Sequence, residues 1–364
     1  MTRKPEGKLR RGWTTGACAT AATKAAYTAL LTGRFPDPVS ITLPRGEQPA
    51  FALARECLAP ACASAAIVKD AGDDPDVTHL AIVQATLRRG PAGSGVVFRA
   101  GPGVGRVTRP GLPLAVGEPA INPVPRRMMA AVVAEVAAEH GDAGDLEIEI
   151  SVDDGEALAR QTWNPRLGIL GGLSILGTTG VVVPFSCAAW IHSIHRGIDV
   201  ARAGGFSHVA GCTGSTSEAA VQRLYDLPEA ALLDMGDFAG GLLKYLRQHP
   251  LPRLTLGGGF GKLCKLAAGH LDLHSGRSQV DFDLLAEVLD ALGADARLVA
   301  EARQANTAKQ VLDLATAAGL PLADAVAAKA RDTALGLLAG ETAVEVLVFD
   351  RDGDLAGRAA GWDA

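Results

Sequence analysis

Apolar positions fall into short, alternating runs in the first half of the chain and into runs at helical spacing between strands in the second. Thr15 can cap a helix running to about Leu31 and stopped by Gly33. The small residues Ala19, Ala21, Ala22, Ala25 and Ala26 predict close packing of that helix against a sheet. Val39–Leu43 and Ala50–Arg55 alternate about Pro44-Arg45-Gly46-Glu47, the pattern of a hairpin. Ala65–Val68, Leu80–Leu87, Val96–Arg99 and Leu146–Val152 continue the strand pattern. A segment rich in glycine and proline, Gly101–Pro123, reads as a long loop, and loops of that length are commonly functional or mobile. Pro125 opens a helix to about His140, closed by Gly141. Strands and helices mix without strict alternation, so residues 1–185 are expected to form an α+β domain that binds substrate.

From Ser186 the rhythm changes. Ser186 can cap a helix to about Ala203, ended by Gly204-Gly205. Strand His208–Gly211, a helix from Ser215, strand Ala231–Asp234, a helix from Asp237, strand Arg253–Leu256 and a helix from Lys262 follow in turn. Four helical segments then run to about Ala339, and Val344–Phe349 is expected as a last strand. This alternation predicts βαβ units in a parallel, doubly wound sheet, an α/β Rossmann-like domain over residues 186–364.

Composition narrows the classes. The chain of 364 residues is long enough for two domains, and its 48% hydrophobic share comes without any apolar run near the length of a membrane span. Met1–Arg11 is polar and basic, which predicts no secretory signal and a cytoplasmic protein. A net charge of −5 argues against a nucleic-acid surface. The six cysteines include no C-x-x-C pair and read as reduced, mostly buried thiols. Homo-oligomerisation is left open.

Three segments and the histidines carry candidate chemistry. In Lys69-Asp70-Ala71-Gly72-Asp73-Asp74-Pro75-Asp76-Val77-Thr78-His79, four carboxylates arrive with a glycine and a proline just after a strand, bracketed by a lysine and a histidine. That density fits either a solvated turn or a site; the acid spacing breaks at Thr78, so it is no calcium loop. In Val209–Glu218 a strand ends in a glycine-spaced turn, and Ser215 with Glu218 has the spacing of a capping box. Asp234 stands 20 residues after Gly214, where an acid commonly meets ribose hydroxyls. An ordinary capped helix with a surface acid is the alternative. Gly257-Gly258-Gly259-Phe260-Gly261 reads as a second glycine loop, with Lys262 and Lys265 behind it to meet carboxylates or to lie on the surface. Gly171–Gly180, with Thr178 and Thr179, could line a pocket with backbone donors or be a packed strand and turn. His192 with His195, and His270 with His274, have two-ligand spacings without a third ligand, so no protein-bound metal is expected.

The acidic turn also resembles the signature of the CbiD-type cobalt-precorrin-5B C1-methyltransferase family. The resemblance extends through Arg11-Gly12-Trp13-Thr14-Thr15-Gly16-Ala17-Cys18-Ala19, Gly117–Arg126, Asn164–Ile169, Ile175–Gly180, Thr213–Glu218, Met235–Phe238 and Gly261–His270. These segments occur in order over residues 10–280, with a family-like tail to Asp350.

The resemblance implies that S-adenosylmethionine methylates C1 of cobalt-precorrin-5B, giving cobalt-precorrin-6A in anaerobic cobalamin synthesis. The substrate then brings its own cobalt. Methyl transfer from a sulfonium is an in-line displacement, which accounts for the lack of a nucleophilic triad. Asp70, Asp73 and His79 are the candidate catalytic residues. Gly211, Thr213, Gly214, Ser215, Asp234, Gly257 and Gly258 are the candidates for the methyl donor. Lys69, Arg106, Arg109, Arg126, Thr178, Thr179 and Lys262 are the candidates for a substrate with many carboxylates, with Arg127 and Arg166 nearby. The chain departs from the family pattern at three places. Leu80 stands where a glycine usually follows the histidine, Ser215 where arginine is common, and Cys187-Ala188-Ala189 where an acidic run follows Ser186. Two other classes compete: a dinucleotide-dependent oxidoreductase, against which the missing third fingerprint glycine argues, and a non-catalytic tetrapyrrole carrier.

Overall fold

A computed structural model describes residues 7–338 and 340–362; the first six residues of the basic N-terminal stretch and Ala339, the expected end of the last helix, lie outside it. The chain forms two compact units, one ending at Cys187 and the other starting at Ala188.

The first unit is built on a five-stranded sheet in the order Arg55–Ala59, Cys62–Val68, Ile82–Arg89, Leu146–Val152, Val96–Ala100. All pairs are antiparallel except the last, which is parallel. Alternation sets its two faces. Ala63, Leu87 and Ile148 form one buried row across three strands, Ala65, Ala85 and Ile150 a second, and Ile67, Val83 and Val152 a third. Helix Thr15–Thr32 lies against the strands Cys62–Val68 and Ile82–Arg89, and helix Pro123–His140 packs on it. Ala17, Ala21, Ala22, Ala25 and Ala26 are fully buried, because only methyl groups fit that approach.

Four details differ from the sequence expectation here. The helix is capped by Thr14, whose hydroxyl accepts the Ala17 N–H at 3.2 Å, while the Thr15 hydroxyl is bonded to the backbone of Leu176. Its end at Gly33, with φ of 78°, is as expected. The hairpin ladder is short, pairing only Val39–Ser40 with Ala50–Phe51. Helix Pro123–His140 starts two residues early, with Pro123 in its first turn, where proline's missing N–H costs nothing. Gly101–Pro123 is not one open loop. Gly103–Val104 pairs with Gly172–Leu173, Arg106–Val107 with Ile169–Leu170, and Ala120 and Ile121 are fully buried. Only the stretch around residues 108–118 remains irregular.

The second unit holds a sheet in the order Leu232–Asp234, His208–Cys212, Arg253–Gly259, Ala343–Phe349, Leu355–Ala359. The first four strands are parallel, and the edge strand Leu355–Ala359, which the sequence pattern does not announce, is antiparallel. Helices cover both faces. A Cβ on Gly211 would sit 2.4 Å from Leu242 of helix Ala239–Gln248, whereas one on the next sheet position across, Gly257, would sit 2.9 Å from Val221 of helix Ser215–Tyr225. Gly211 pairs with Leu256 and Cys212 with Gly257, so these contacts lie on opposite faces. Helices Phe282–Ala291, Ala296–Arg303, Ala308–Ala317 and Leu322–Leu338 complete the unit.

Two expectations at this sheet are corrected. Gly257–Gly259 is not a loop but the end of a strand hydrogen-bonded on both sides, and Phe260 begins the helix directly. Glycine is needed at Gly258 for close approach, because a Cβ there would meet the Thr213 side chain at 2.8 Å. The capping box at Ser215 does not form either. Gly214 is the cap, no side chain caps it, and the Ser217 hydroxyl donates to the Gly214 carbonyl at 2.9 Å. Among the described residues, no helix is long and apolar enough to cross a membrane.

Candidate functional site

In the first unit the acidic turn is the hub. The chain before the first helix crosses over it so closely that a Cβ on Gly12 would lie 2.0 Å from the Ala71 carbonyl carbon and one on Gly72 would lie 2.2 Å from the Arg10 oxygen. Only glycine permits this crossing. The two segments are then stitched together. Trp13 N–H donates to Asp70 O at 2.7 Å, Asp73 N–H to Arg10 O at 3.0 Å, and Arg10 N–H to Asp73 Oδ2 at 2.6 Å. The Arg10 guanidinium grips Asp70 through both Nη atoms, with Nη2 at 2.9 Å from Oδ1.

Each acid of the turn has a partner within the chain. Arg10, helped by the Gly72 N–H, holds the Asp70 carboxyl at about 2, far below its usual range and against the opposing effect of burial. A carboxylate that weakly basic is poorly matched to proton abstraction near neutral pH. Asp74 accepts the Phe185 N–H at 2.7 Å, and burial raises its pKa. Asp76 takes the buried Lys69 ammonium at 2.6 Å and the Thr78 N–H at 2.7 Å; burial opposes ionisation there, but the lysine outweighs it and the pKa is lowered. Asp73 spends one oxygen on the Arg10 amide and stays exposed. His79 Nδ1 accepts the Ala71 N–H at 3.1 Å, so its neutral ring carries the proton on Nε2. The motif cysteine, Cys18, is buried, which pushes its thiol up to about 12 and makes it unfit as a nucleophile.

Leu80, the departure from the family pattern, closes the turn with φ of 65° and is 63% exposed. A leucine there pays the steric cost of left-handed backbone and buries nothing in return. Leu80→Gly is therefore expected to stabilise the protein by about 0.5–1 kcal/mol, after the entropy that glycine gives back to the unfolded chain. Thermal unfolding reads this directly, and a lower melting temperature in the variant would show that the Leu80 side chain has a contact role.

The other substrate candidates of this unit fall into two groups. Strand Gly12–Trp13 pairs with Val181–Val182, and Thr14 N–H donates to Gly180 O at 2.9 Å, which brings the Thr178-Thr179 turn to the start of the first helix. The Thr179 hydroxyl is engaged with the Val181 backbone. Arg106 lies exposed on the short strand Arg106–Val107, with Nη1 3.4 Å from Gly117 O, and Arg109 lies exposed on the irregular stretch, draped over Gly168, which has φ of 72°. Arg126 is structural. Its Nε donates to Ile121 O at 2.8 Å, its Nη2 to Pro119 O at 3.1 Å and to Glu118 at 2.8 Å, and its plane lies over Phe98. Arg166 packs on Trp163. Several side chains in or beside the motif segments present large apolar groups to solvent: Val77 and Leu176 within them, Leu80, Val116 and Val183 near them.

In the second unit the donor candidates converge at the carboxyl edge of the sheet. Strand His208–Cys212 connects to Leu232–Asp234 on one side and is flanked by Arg253–Gly259 on the other, so the winding reverses between the first and third strands of the unit. Crevices at such reversals, beyond the carboxyl ends, are where open α/β sheets bind ligands. Cys212 is in register with Asp234 and with Gly257, which sets Asp234 beside the Thr213-Gly214-Ser215 turn. A Cβ on Gly214 or Gly259 would meet nothing within 4 Å, so this edge has room above it. Lys262 ties the edge together: its Nζ donates to Thr213 O at 2.8 Å and pairs with Asp237 Oδ1 at 3.1 Å. It belongs with the donor candidates. Lys265 is buried and donates to Leu273 O at 2.9 Å. His195 is stacked on Tyr245, and no group of three His, Cys, Asp or Glu fit to hold a metal occurs among the described residues.

Sequence reasoning did not single out Arg10, Asp76, Trp190 or Asp237. Arg10 was adjacent to a motif, but its pairing spans 60 residues and leaves no local signal.

A largely parallel sheet with helices on both faces and an acid beside its reversal-point turn is the architecture of open α/β folds, in which ligands bind beyond the carboxyl ends of the strands. Comparison with known proteins is specific. The CbiD family matches residues 2–184, and the family described as CbiD, C-terminal domain, matches residues 272–360. The chain belongs to the CbiD family. It is 66% identical over 355 residues to the cobalt-precorrin-5B C(1)-methyltransferase of Paramagnetospirillum magneticum, covering 97% of this chain and 99% of that protein. Proteins of the same name from Rhodospirillum rubrum and Brucella anthropi are 63% and 62% identical, over 98% and 97% of this chain and 99% and 96% of theirs. A crystal structure of the cobalamin biosynthesis protein cbiD from Archaeoglobus fulgidus is 27% identical, covers 75% of this chain and 84% of that one, and superposes with a TM-score of 0.41.

Proposed function

We propose that this CbiD-family methyltransferase moves the methyl group of S-adenosylmethionine to C1 of cobalt-precorrin-5B, leaving S-adenosylhomocysteine and cobalt-precorrin-6A. The observation that carries the donor half of this reading is the register of Cys212 with Asp234 at the reversal point of the parallel sheet. On this reading the second unit is a Rossmann-like donor domain. Asp234 accepts hydrogen bonds from ribose hydroxyls, and the backbone of Gly211, Thr213, Gly214 and Ser215 faces the rest of the donor. Gly257 and Gly258 act through packing, keeping the neighbouring strand low enough for the turn to sit where it does.

The donor supplies an electrophilic methyl on a sulfonium; the S–C bond breaks as the new C–C bond to C1 forms. The chain's own residues bind, orient and exclude water. The exposed guanidinium groups of Arg106 and Arg109 are suited to substrate carboxylates, as Arg126 is not, being spent on backbone carbonyls and Glu118. Exposed Val77, Leu80, Leu176 and Val183 offer apolar contact to a macrocycle. Within the acidic turn Lys69, Asp70 and Asp76 hold shape. His79 is placed to donate from Nε2, and Asp73 is the carboxylate left exposed for a proton. The cysteines, none of them in a disulfide among the described residues, fit a reducing, cytoplasmic setting. The experiment is incubation of the enzyme with cobalt-precorrin-5B and donor carrying a labelled methyl group.

A further inference from the structure

Asp234 sits at the end of a three-residue strand, and a strand that short does not fix the loop leaving it. The loop Asp234–Phe238 is held from a different element. Helix Cys187–Ala203 brings Trp190 alongside, and its indole Nε1–H donates to the Asp234 carbonyl at 3.0 Å. The same ring lies under the turn of the loop: Gly236, with φ of 55°, has space for a Cβ only at 3.3 Å from the Trp190 ring. Phe238 closes the far side with its ring centroid 6.2 Å from that of Trp190. Gly236 N–H donates to Cys212 O at 3.1 Å, so the loop that Trp190 holds is also bonded to the donor turn.

We propose that Trp190 is a positioning residue for the methyl donor: its N–H and ring set the backbone from which Asp234 reaches the donor's ribose. This rests on the donor placement proposed above. An indole is suited to this task, because one rigid side chain supplies both a flat packing surface and a single donor at its edge. Asp234 would keep its carboxylate without Trp190, but on a backbone that has lost one of its hydrogen bonds and the ring packed against its turn. The consequence is expected at the donor, since Trp190 contacts Asp234, Gly236 and Phe238.

The test uses Trp190→Phe, which keeps an aromatic ring in the cluster and removes the Nε1–H with the edge of the indole that faces Gly236, and Asp234→Asn as reference. S-adenosylhomocysteine is titrated into each by calorimetry, and the kinetic constants for donor and for cobalt-precorrin-5B are measured separately. The dissociation constant of Trp190→Phe is expected to rise about tenfold, the size of one lost buried hydrogen bond. The donor's KM should rise with it, while the tetrapyrrole's KM stays at its wild-type value and the melting temperature falls only by the few degrees that one lost hydrogen bond costs. Addition of S-adenosylhomocysteine should also change indole emission in the wild type and leave it unchanged in Trp190→Phe. Wild-type affinity in Trp190→Phe overturns the inference while leaving the donor site standing, provided Asp234→Asn is weakened. A loss of affinity that comes only with a larger fall in melting temperature and a raised tetrapyrrole KM overturns it in favour of a general packing role. Unchanged affinity in Asp234→Asn removes the donor placement itself, and the inference with it.

Discussion

Asp76→Ala is expected to lower folding stability by about 3 kcal/mol, the range found when one partner of a buried ion pair is removed. The pair is asymmetric. Lys69 is 1% exposed and has its ammonium 2.6 Å from Asp76 Oδ2, so the variant strands a buried cation without its counter-charge. The same truncation orphans the Thr78 N–H and hydroxyl, both bonded to Asp76 Oδ1. The double variant Lys69→Met/Asp76→Ala should recover much of the loss, because the charge that made the lone deletion costly is gone. The pH dependence has a definite sign. The folded-state pKa of Asp76 is lowered, so the unfolded chain binds the proton more readily. Its contribution is fully present above the ordinary carboxylate range of roughly 4 and is lost as pH falls below it. Chemical denaturation at neutral and acid pH measures both effects. An Asp76→Ala variant as stable as wild type at neutral pH would mean that solvent reaches Lys69.

Asp234→Asn is expected to weaken S-adenosylhomocysteine binding by about 1–3 kcal/mol, the cost of losing a charge-assisted acceptor, with the fold intact. The substitution keeps the shape of the side chain at the end of its strand and removes the charge. A ribose that donates two hydroxyl protons to one carboxylate cannot do the same to an amide, which offers one acceptor and two donors. Calorimetry with S-adenosylhomocysteine reads the change without the tetrapyrrole, and an unaltered dissociation constant would take the acid out of the donor site.

Local pattern carried most of the secondary structure because the forces that set it are local. Leu146–Val152 reads as a strand from strict alternation, and Gly33 and Gly141 end helices through a conformation only glycine adopts cheaply. The errors have a common physical form. Three glycines in a row look like a loop, yet Gly257–Gly259 pairs along its length with Leu347–Phe349, and Gly257 with Cys212 as well; the packing of Val221 at Gly257 and of Thr213 at Gly258 explains the lack of side chains there. Leu355–Ala359 was invisible because an edge strand with one bare side has little pattern to show. Gly101–Pro123 looked free because its partners, Ile169–Leu170 and Gly172–Leu173, are too short to announce themselves. The acidic turn was legible as a cluster, but its chemistry was not. Whether an aspartate is a base or a brace depends on Arg10, which lies 60 residues away from Asp70 in sequence. The register of Asp234 with Cys212 is different: a βαβ crossover of ordinary length, through helix Ser215–Tyr225, fixes it, so spacing alone placed the acid beside the turn.

The most direct test of the account is mass spectrometry of cobalt-precorrin-5B after incubation with the purified protein and S-adenosylmethionine bearing a deuterated methyl group. The account predicts that the tetrapyrrole gains one labelled methyl at C1, that S-adenosylhomocysteine appears in equal amount, and that omission of either reactant abolishes both products. A tetrapyrrole recovered at its starting mass, with the donor consumed or not, would contradict it.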